Sequence, residues 1–254
     1  MDNLCVENLT LAVKGTTLVK EASFSLNRGE LVVLLGPNGA GKTSLMRGAL
    51  GMIGPVKGNV TINNQSINKL KPLERAKLIS YLPQSRPLAW PNVVKDVIAL
   101  GRYAYGMKNR KLSGPDKLAI DDAILSCDLT HLQSRHANTL SGGELARMHL
   151  ARAFASQTPL LLADEPVAAL DPRHQFRVMD LMRRYVDNGG GALIVLHDLS
   201  LAAQYADRLI WMKDGEIVRT GTVKDTMTES QIIEIYAVKA SVENLSVRLL
   251  GSQK

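Results

Sequence analysis

The sequence predicts an α/β fold: a mostly parallel sheet with flanking helices, an N-terminal antiparallel β subdomain and an inserted helical subdomain. Three observations predict it. Short continuous apolar runs at "LVVLL" (31–35), "LLLA" (160–163) and "ALIVL" (192–196) are each followed by polar groups and then a helical pattern. Strands buried on both faces of a parallel sheet read this way. Residues 1–30 and 58–67 instead alternate in places, around turns at Gly15 and at Asn27–Glu30, and read as β-rich. The stretch from about 86 to 158 has no such strand and carries amphipathic helical patterns at "VVKDVIALGRY", "DKLAIDDAILSC" and "ELARMHLARAFA". We therefore expect one domain over 1–254. Residues 1–85 and 159–254 form its core and β subdomain, and about 86–158 its helical insert. Near the C-terminus "RLIWMKDGEIVRTG" predicts a hairpin around Asp214–Gly215. Residues 225–254 carry little pattern.

Composition narrows the class. At 45% hydrophobic and 22% charged the chain is an ordinary globular one. No apolar run approaches the roughly 20 residues that span a bilayer. The acidic start "MDNLCVENL" has no basic region followed by an apolar stretch, so no signal peptide is expected. Cys5 and Cys127 make no disulfide framework and fit a reducing cytoplasm as buried small hydrophobes. The net charge of +7 suits a nucleotide, an anionic membrane face or nucleic acid without choosing among them. With aromatics at 4% and no interleaved basic and aromatic stretch, we expect no nucleic-acid partner.

The chemistry begins at Gly36–Thr43, "GPNGAGKT", which fits the phosphate loop G-x-x-x-x-G-K-[ST] with a strand before it and a helix after it. Gly36, Gly39 and Gly41 let the backbone, with Pro37, Asn38 and Ala40 between them, wrap around phosphates with its N–H groups pointing inward, helped by the helix N-terminus at Lys42, Thr43 and Ser44. Lys42 would neutralise the β- and γ-phosphates and the Thr43 hydroxyl would hold Mg²⁺. "LLLADEP" ends a buried strand with two carboxylates, Asp164 and Glu165, at the sheet edge where ligands bind. Asp164 reads as a group that reaches Mg²⁺ directly or through water, and Glu165 as one that orients and deprotonates an attacking water. Alone, such a pair could simply cap the next helix. His197 follows "ALIVL" at a third strand end and reads as a γ-phosphate sensor, although a lone histidine there is more often structural. Gln84, after "SYLP", stands where it could touch Mg²⁺ or the water and report occupancy to the helical insert.

A second glycine-bearing helix start follows. In "LSGGELARMHL" (140–150), Ser141 and Glu144 form a capping box, and Leu145, Met148, Ala151 and Ala155 share one face. Gly142 and Gly143 occupy the first turn, where glycine costs about 1 kcal/mol against alanine. Bare backbone there suggests that something comes close to those N–H groups.

The phosphate loop, "LPQ" ending at Gln84, "LSGGE" (Leu140, Ser141, Gly142, Gly143, Glu144), "LLLADEP", "ALDP" and "LHD" stand in the order and spacing of ATP-binding cassette ATPases. The chain resembles that family, with its P-loop NTPase core, over nearly its whole length. The resemblance implies a head-to-tail homodimer in which the phosphate loop of one copy and the signature residues 140–144 of the other enclose one ATP, each chain carrying two halves of different sites. It implies that Glu165 is the catalytic base, His197 the switch histidine and Gln84 the glutamine that couples to the helical insert. Asp171 belongs to the loop joining the two sites across the dimer, and ATP and Mg²⁺ are the cofactors. With no spanning helix in the sequence, the resemblance implies integral membrane permease subunits as separate chains. A periplasmic or surface substrate-binding protein would act indirectly, with the ATPase peripheral on the cytoplasmic face of the inner membrane. The wording "YLPQ" and "VVKDVIALGRYAYG" is similar to the group importing iron–siderophore, haem and cobalamin. A soluble cassette ATPase acting on another macromolecule, or an importer of a different substrate, is the alternative, but the former class carries coiled-coil insertions or tandem cassettes. A regulator that does not turn over is disfavoured by Glu165 and His197.

Three positions depart from the family's usual pattern. Val13 stands where an aromatic residue that stacks on adenine is expected, which predicts weak discrimination between ATP and GTP. Ala146 replaces a common glutamine, and Val167 a common threonine or serine.

Overall fold

The computed structural model of the chain describes residues 3–84, 92–106, 112–243 and 246–252. The chain opens with β1 (Asn3–Val13), β2 (Thr16–Asn27) and β3 (Leu31–Leu35), then α1 (Lys42–Ala49), β4 (Lys57–Ile62), β5 (Gln65–Ser66), α2 (Pro72–Arg75) and β6 (Ile79–Leu82). Three helices follow: α3 (Val94–Ala99), α4 (Gly114–Ser126) and α5 (Gly142–Ala155). The chain then alternates through β7 (Leu160–Asp164), α6 (Pro172–Asp187), β8 (Gly191–Val195), α7 (Leu199–Tyr205), β9 (Arg208–Lys213) and β10 (Glu216–Thr222). It closes with α8 (Val223–Thr226), α9 (Glu229–Tyr236), β11 (Val238–Glu243) and β12 (Ser246–Ser252).

Six strands form the central sheet in the order β10-β9-β3-β8-β7-β6, parallel except for the β9–β10 hairpin. The five residues of β3 are all fully buried. Leu31, Val33 and Leu35 enter the cluster with α3–α7, whereas Val32 and Leu34 enter the one with α1 and the N-terminal strands. That period-two division is why a strand covered on both faces reads as an unbroken apolar run. The second sheet, β2-β1-β4-β5, is antiparallel as its alternation predicts.

Between residues 92 and 158, the described residues contain helices and one isolated bridge, Val93 to His136. The helix expected over 93–103 ends at Ala99 and tightens into 3₁₀ turns at Leu100–Tyr105. The tighter winding seats Gly101 where a β-carbon would lie 2.2 Å from the Arg152 carbonyl oxygen. It also turns Arg102 inward: its Nε donates to Asp116 Oδ1 at 2.9 Å and its Nη1 to the Ala155 carbonyl at 3.2 Å. One buried guanidinium thus ties three helical segments together, and its removal would strand the Asp116 charge. The C-terminal region, where the sequence showed little, folds as a two-helix and hairpin segment packed on α7 and β9.

Candidate nucleotide site

Strand β3 delivers the phosphate loop to the carboxyl edge of the sheet. Gly36 adopts φ +152° and a β-carbon there would lie 2.2 Å from the Met212 carbonyl oxygen, while Gly41 adopts φ +94° with its β-carbon position 2.5 Å from Leu18 oxygen. Neither place admits a side chain. Gly41 is also the N-cap of α1 and makes no side-chain cap, so the helix start presents backbone N–H groups and positive partial charge to the loop. A cavity of about 470 Å³ opens here, lined by Asn38, Gly39, Ala40, Gly41, Lys42, Thr43, Ser44 and Glu165. Thr16, Thr17 and Leu18 of β2 and the Asp214–Gly215 turn make its far wall.

Lys42 is 6% exposed. Its ammonium donates to the Gly36 carbonyl at 2.7 Å and the Pro37 carbonyl at 2.9 Å, so it is folded onto its own loop. Burial lowers its pKa, and the Glu165 and Asp164 carboxylates pull in the opposite direction. Asp164, at the end of β7, is 1% exposed and both its oxygens lack a well-formed hydrogen bond. Burial raises its pKa, while the Thr43 hydroxyl and the Arg47 and Lys42 cations act against that rise. A buried carboxylate beside a threonine hydroxyl is an oxygen donor set suited to Mg²⁺, and its orphaned oxygens fit such an ion.

Glu165 follows Asp164 with φ +49°, a left-handed conformation that a non-glycine residue adopts at some cost. That turn aims its carboxylate between two partners. Gln84 Nε2 donates to Oε2 at 2.7 Å, and His197 Nε2 lies 2.7 Å from Oε1. The structure therefore brings together three residues that are 81 and 32 positions apart in the chain. Asp198, next to the histidine, caps α7 by accepting from Ser200 and Leu201 N–H groups at 2.8 and 2.9 Å, which fixes the loop that carries His197.

The residues Leu140–Glu144 do not line this cavity, nor does Asp171. The expected capping box is present: Glu144 Oε2 accepts the Ser141 N–H at 2.8 Å and Ser141 Oγ accepts the Glu144 N–H at 3.4 Å. The bond from the Ser141 N–H is the largest influence lowering the Glu144 pKa. The two glycines differ in a way the sequence did not reveal. A β-carbon at Gly143 would lie 2.0 Å from His174 Cδ2, whereas at Gly142 the nearest atom is Leu170 Cδ2 at 4.0 Å. So Gly143 has a reason within its own chain, and only Gly142 stands open. His174 is held by Asp171, the N-cap of α6, whose oxygens lie 2.8 and 2.9 Å from its Nδ1.

A family model described as ABC transporter matches residues 19–168. The chain belongs to the ABC transporter family. It is 36% identical over 236 residues, covering 93% of this chain and 81% of the relative, to the hemin import ATP-binding protein HmuV of Nocardia farcinica. It is 35% identical over 250 residues to the HmuV of Agrobacterium fabrum, covering 95% and 94% of the two chains. A solved dimeric ATP-binding cassette in a post-hydrolysis state, bound to ADP and phosphate, superposes with a TM-score of 0.75 at 26% identity over 87% of this chain and 98% of that one. The protein is thus an ABC ATPase, and it binds and hydrolyses ATP.

Against that family, the departures acquire structural settings. Val13, 44% exposed at the end of β1, is not among the cavity-lining residues; Thr16, its partner across the β1–β2 turn, is. Ala146 and Val167 are each 7% exposed and join the main apolar cluster, where a small or apolar side chain suits the packing. Sequence reasoning missed the wall formed by Thr16–Leu18 and Asp214–Gly215. The Asp214–Gly215 turn was legible as a hairpin, but its closeness to Ala40, whose carbonyl accepts the Gly215 N–H at 3.2 Å, had no local signal. It also missed Tyr81, whose hydroxyl is buried near Asp164 and Arg47.

Proposed function

We propose that this ABC ATPase works as a head-to-tail homodimer that powers import of an iron chelate, haem or cobalamin through separate membrane permease subunits, with haem the cargo its relatives' names favour. The observation that carries the reading is the pair of incomplete phosphate sites on one chain: residues 38–44 line a cavity from which Leu140–Glu144 are absent. Two copies facing each other complete both sites, with Ser141, Gly142 and Gly143 closing on the nucleotide held by the partner's phosphate loop. The relationship to a dimeric cassette supports this arrangement, and the names of the hemin import relatives support the cargo class.

In this reading Lys42 releases the Gly36 and Pro37 carbonyls to take up the β- and γ-phosphates. Thr43, Asp164 and Gln84 would hold Mg²⁺, which would neutralise phosphate charge. Glu165 takes a proton from the attacking water, and His197 and Gln84, already on its two oxygens, aim it and sense the γ-phosphate. Asp171 belongs to the loop that joins the two sites across the dimer. Translocation is the work of the permease subunits; no helix among the described residues of this chain is long and apolar enough to cross a membrane. The groove between Leu50, Met52, Pro72 and Leu100, of about 410 Å³, is the permease dock. Met52, Leu73, Leu100 and Tyr103 lie exposed by 57%, 51%, 49% and 67%, apolar surface that suits a partner helix. The site of action is then the cytoplasmic face of the membrane, with a substrate-binding protein feeding the permease from the other side.

The test is Glu165→Gln. Turnover falls by about 10²–10⁴-fold while ATP binding persists, and size-exclusion chromatography shows a dimer only with ATP. A variant that stays monomeric with ATP and hydrolyses it normally overturns both the base and the dimer.

A further inference from the structure

The first residue of the phosphate loop is held from three sides. Its α-carbon rests against the Met212 carbonyl, its own carbonyl accepts the Lys42 ammonium at 2.7 Å, and its N–H donates to the Tyr236 hydroxyl at 3.0 Å. Tyr236 is the last residue of α9, 200 positions away. It belongs to the C-terminal segment, where the sequence alone suggested nothing. Several contacts fix it there. Its ring meets Trp211, which is fully buried, edge-on at 6.5 Å between centroids. The Lys213 ammonium donates to the Glu234 carbonyl at 2.7 Å, tying α9 to β9. Burial pushes the phenol up to about 12, so it stays a neutral hydroxyl throughout the working pH range.

We infer that Tyr236 is a positioning residue for ATP: its hydroxyl fixes the Gly36 peptide so that the phosphate loop keeps its shape when Lys42 exchanges the loop carbonyls for phosphate. The inference rests on the assignment of this loop to ATP. Of the three restraints on Gly36, the lysine is the one that nucleotide binding removes. The Met212 contact is steric and resists approach alone. Among the described residues, Tyr236 is then the directional bond that remains on Gly36 itself, and its loss leaves a partly buried N–H without its partner. The loop's inward-facing N–H groups act as a preorganised set, so a shift at its first residue weakens all of them together. Because the contact lies at the phosphate end, the effect is indifferent to the base.

The experiment compares Tyr236→Phe, Tyr236→Leu and Lys42→Ala in the full-length chain, with nucleotide affinity from calorimetry, steady-state ATPase kinetics and thermal melting. Tyr236→Phe, which keeps the ring on Trp211, should weaken ATP and GTP equally, by about three- to tenfold. KM should rise by the same factor, with kcat within about twofold and melting close to the parent. Tyr236→Leu should add a loss of melting temperature. Wild-type affinity in Tyr236→Phe overturns the inference. So does a fall in kcat at unchanged KM, or an affinity loss that appears only in the destabilised Tyr236→Leu. Lys42→Ala separates the two layers: if it binds ATP normally, the assignment of the loop to ATP fails, whatever Tyr236 does.

Discussion

The two glycine-bearing helix starts of this chain are built on opposite plans. At α1 the cap is Gly41 itself, without a side-chain bond, and Gly36 and Gly41 are fixed by backbone atoms that cannot move aside, the Met212 and Leu18 carbonyls. At α5, Ser141 and Glu144 satisfy each other's N–H groups. There Gly142 stands open, and Gly143 is constrained only by the ring of His174. A loop whose shape is set by rigid backbone and whose N–H groups lack a side-chain cap is ready for an anion within one subunit. A capped helix start with one open glycine is a surface, finished by whatever docks on it. The difference teaches that glycine in a phosphate-facing turn has two distinct origins, internal fit and external approach, and that adjacent glycines can divide between them.

Substitutions can break or sharpen that contrast. The largest effect is expected for Gly41→Val, which forces a β-branched residue into φ +94° and into the Leu18 carbonyl. ATP affinity should fall by a hundredfold or more, corresponding to about 3 kcal/mol of strain and lost geometry. Equilibrium binding measures it, and near-normal affinity would show that the loop is softer than its contacts imply. Next comes Gly143→Ala, expected to cut turnover by about tenfold or more through the clash with His174, a cost of about 1–3 kcal/mol for overpacking. Adding His174→Ala should restore much of that loss if the constraint is internal. A double variant as inactive as the single one would assign Gly143, like Gly142, to approach from outside. The smallest effect is expected at Val13, half-exposed at the end of β1 and paired with the cavity-lining Thr16. Val13→Tyr should tighten ATP binding about fivefold, the low end of base–aromatic stacking, as measured by equilibrium binding.

The parts legible from sequence share a physical cause. Strands β3, β7 and β8 are buried on both faces, and covered strands leave unbroken apolar runs. The phosphate loop and the α5 cap are local devices whose parts lie within eight residues, so spacing alone exposes them. What stayed hidden depends on tertiary pairing. Thr16–Leu18 reach the cavity because β2 passes beside the Gly215 turn, where the Lys20 N–H donates to the Gly215 carbonyl at 2.8 Å. Gly143 looked like a mark of ligand approach because nothing in the local sequence says that His174 lies over it. Tyr236 acts through one hydroxyl at a distance of 200 residues, and no periodicity records such a bond. The helix expected over 93–103 is present but tightens into 3₁₀ turns after Ala99 for a related reason: the tertiary seat of Gly101 and Arg102 overrode local propensity.

The strand that carries the phosphate loop finds its two neighbours late. β3 is flanked by β8 and β9, residues 191–195 and 208–213, and the Gly36 N–H waits for residue 236. During synthesis, α1, eight residues long, is too short to hold as an isolated helix, and the edge on which it must sit does not exist until most of the polypeptide has emerged. The nascent chain therefore spends much of its time with apolar β3 uncovered, a burden of long-range topology and a reason for chaperones to meet this protein early.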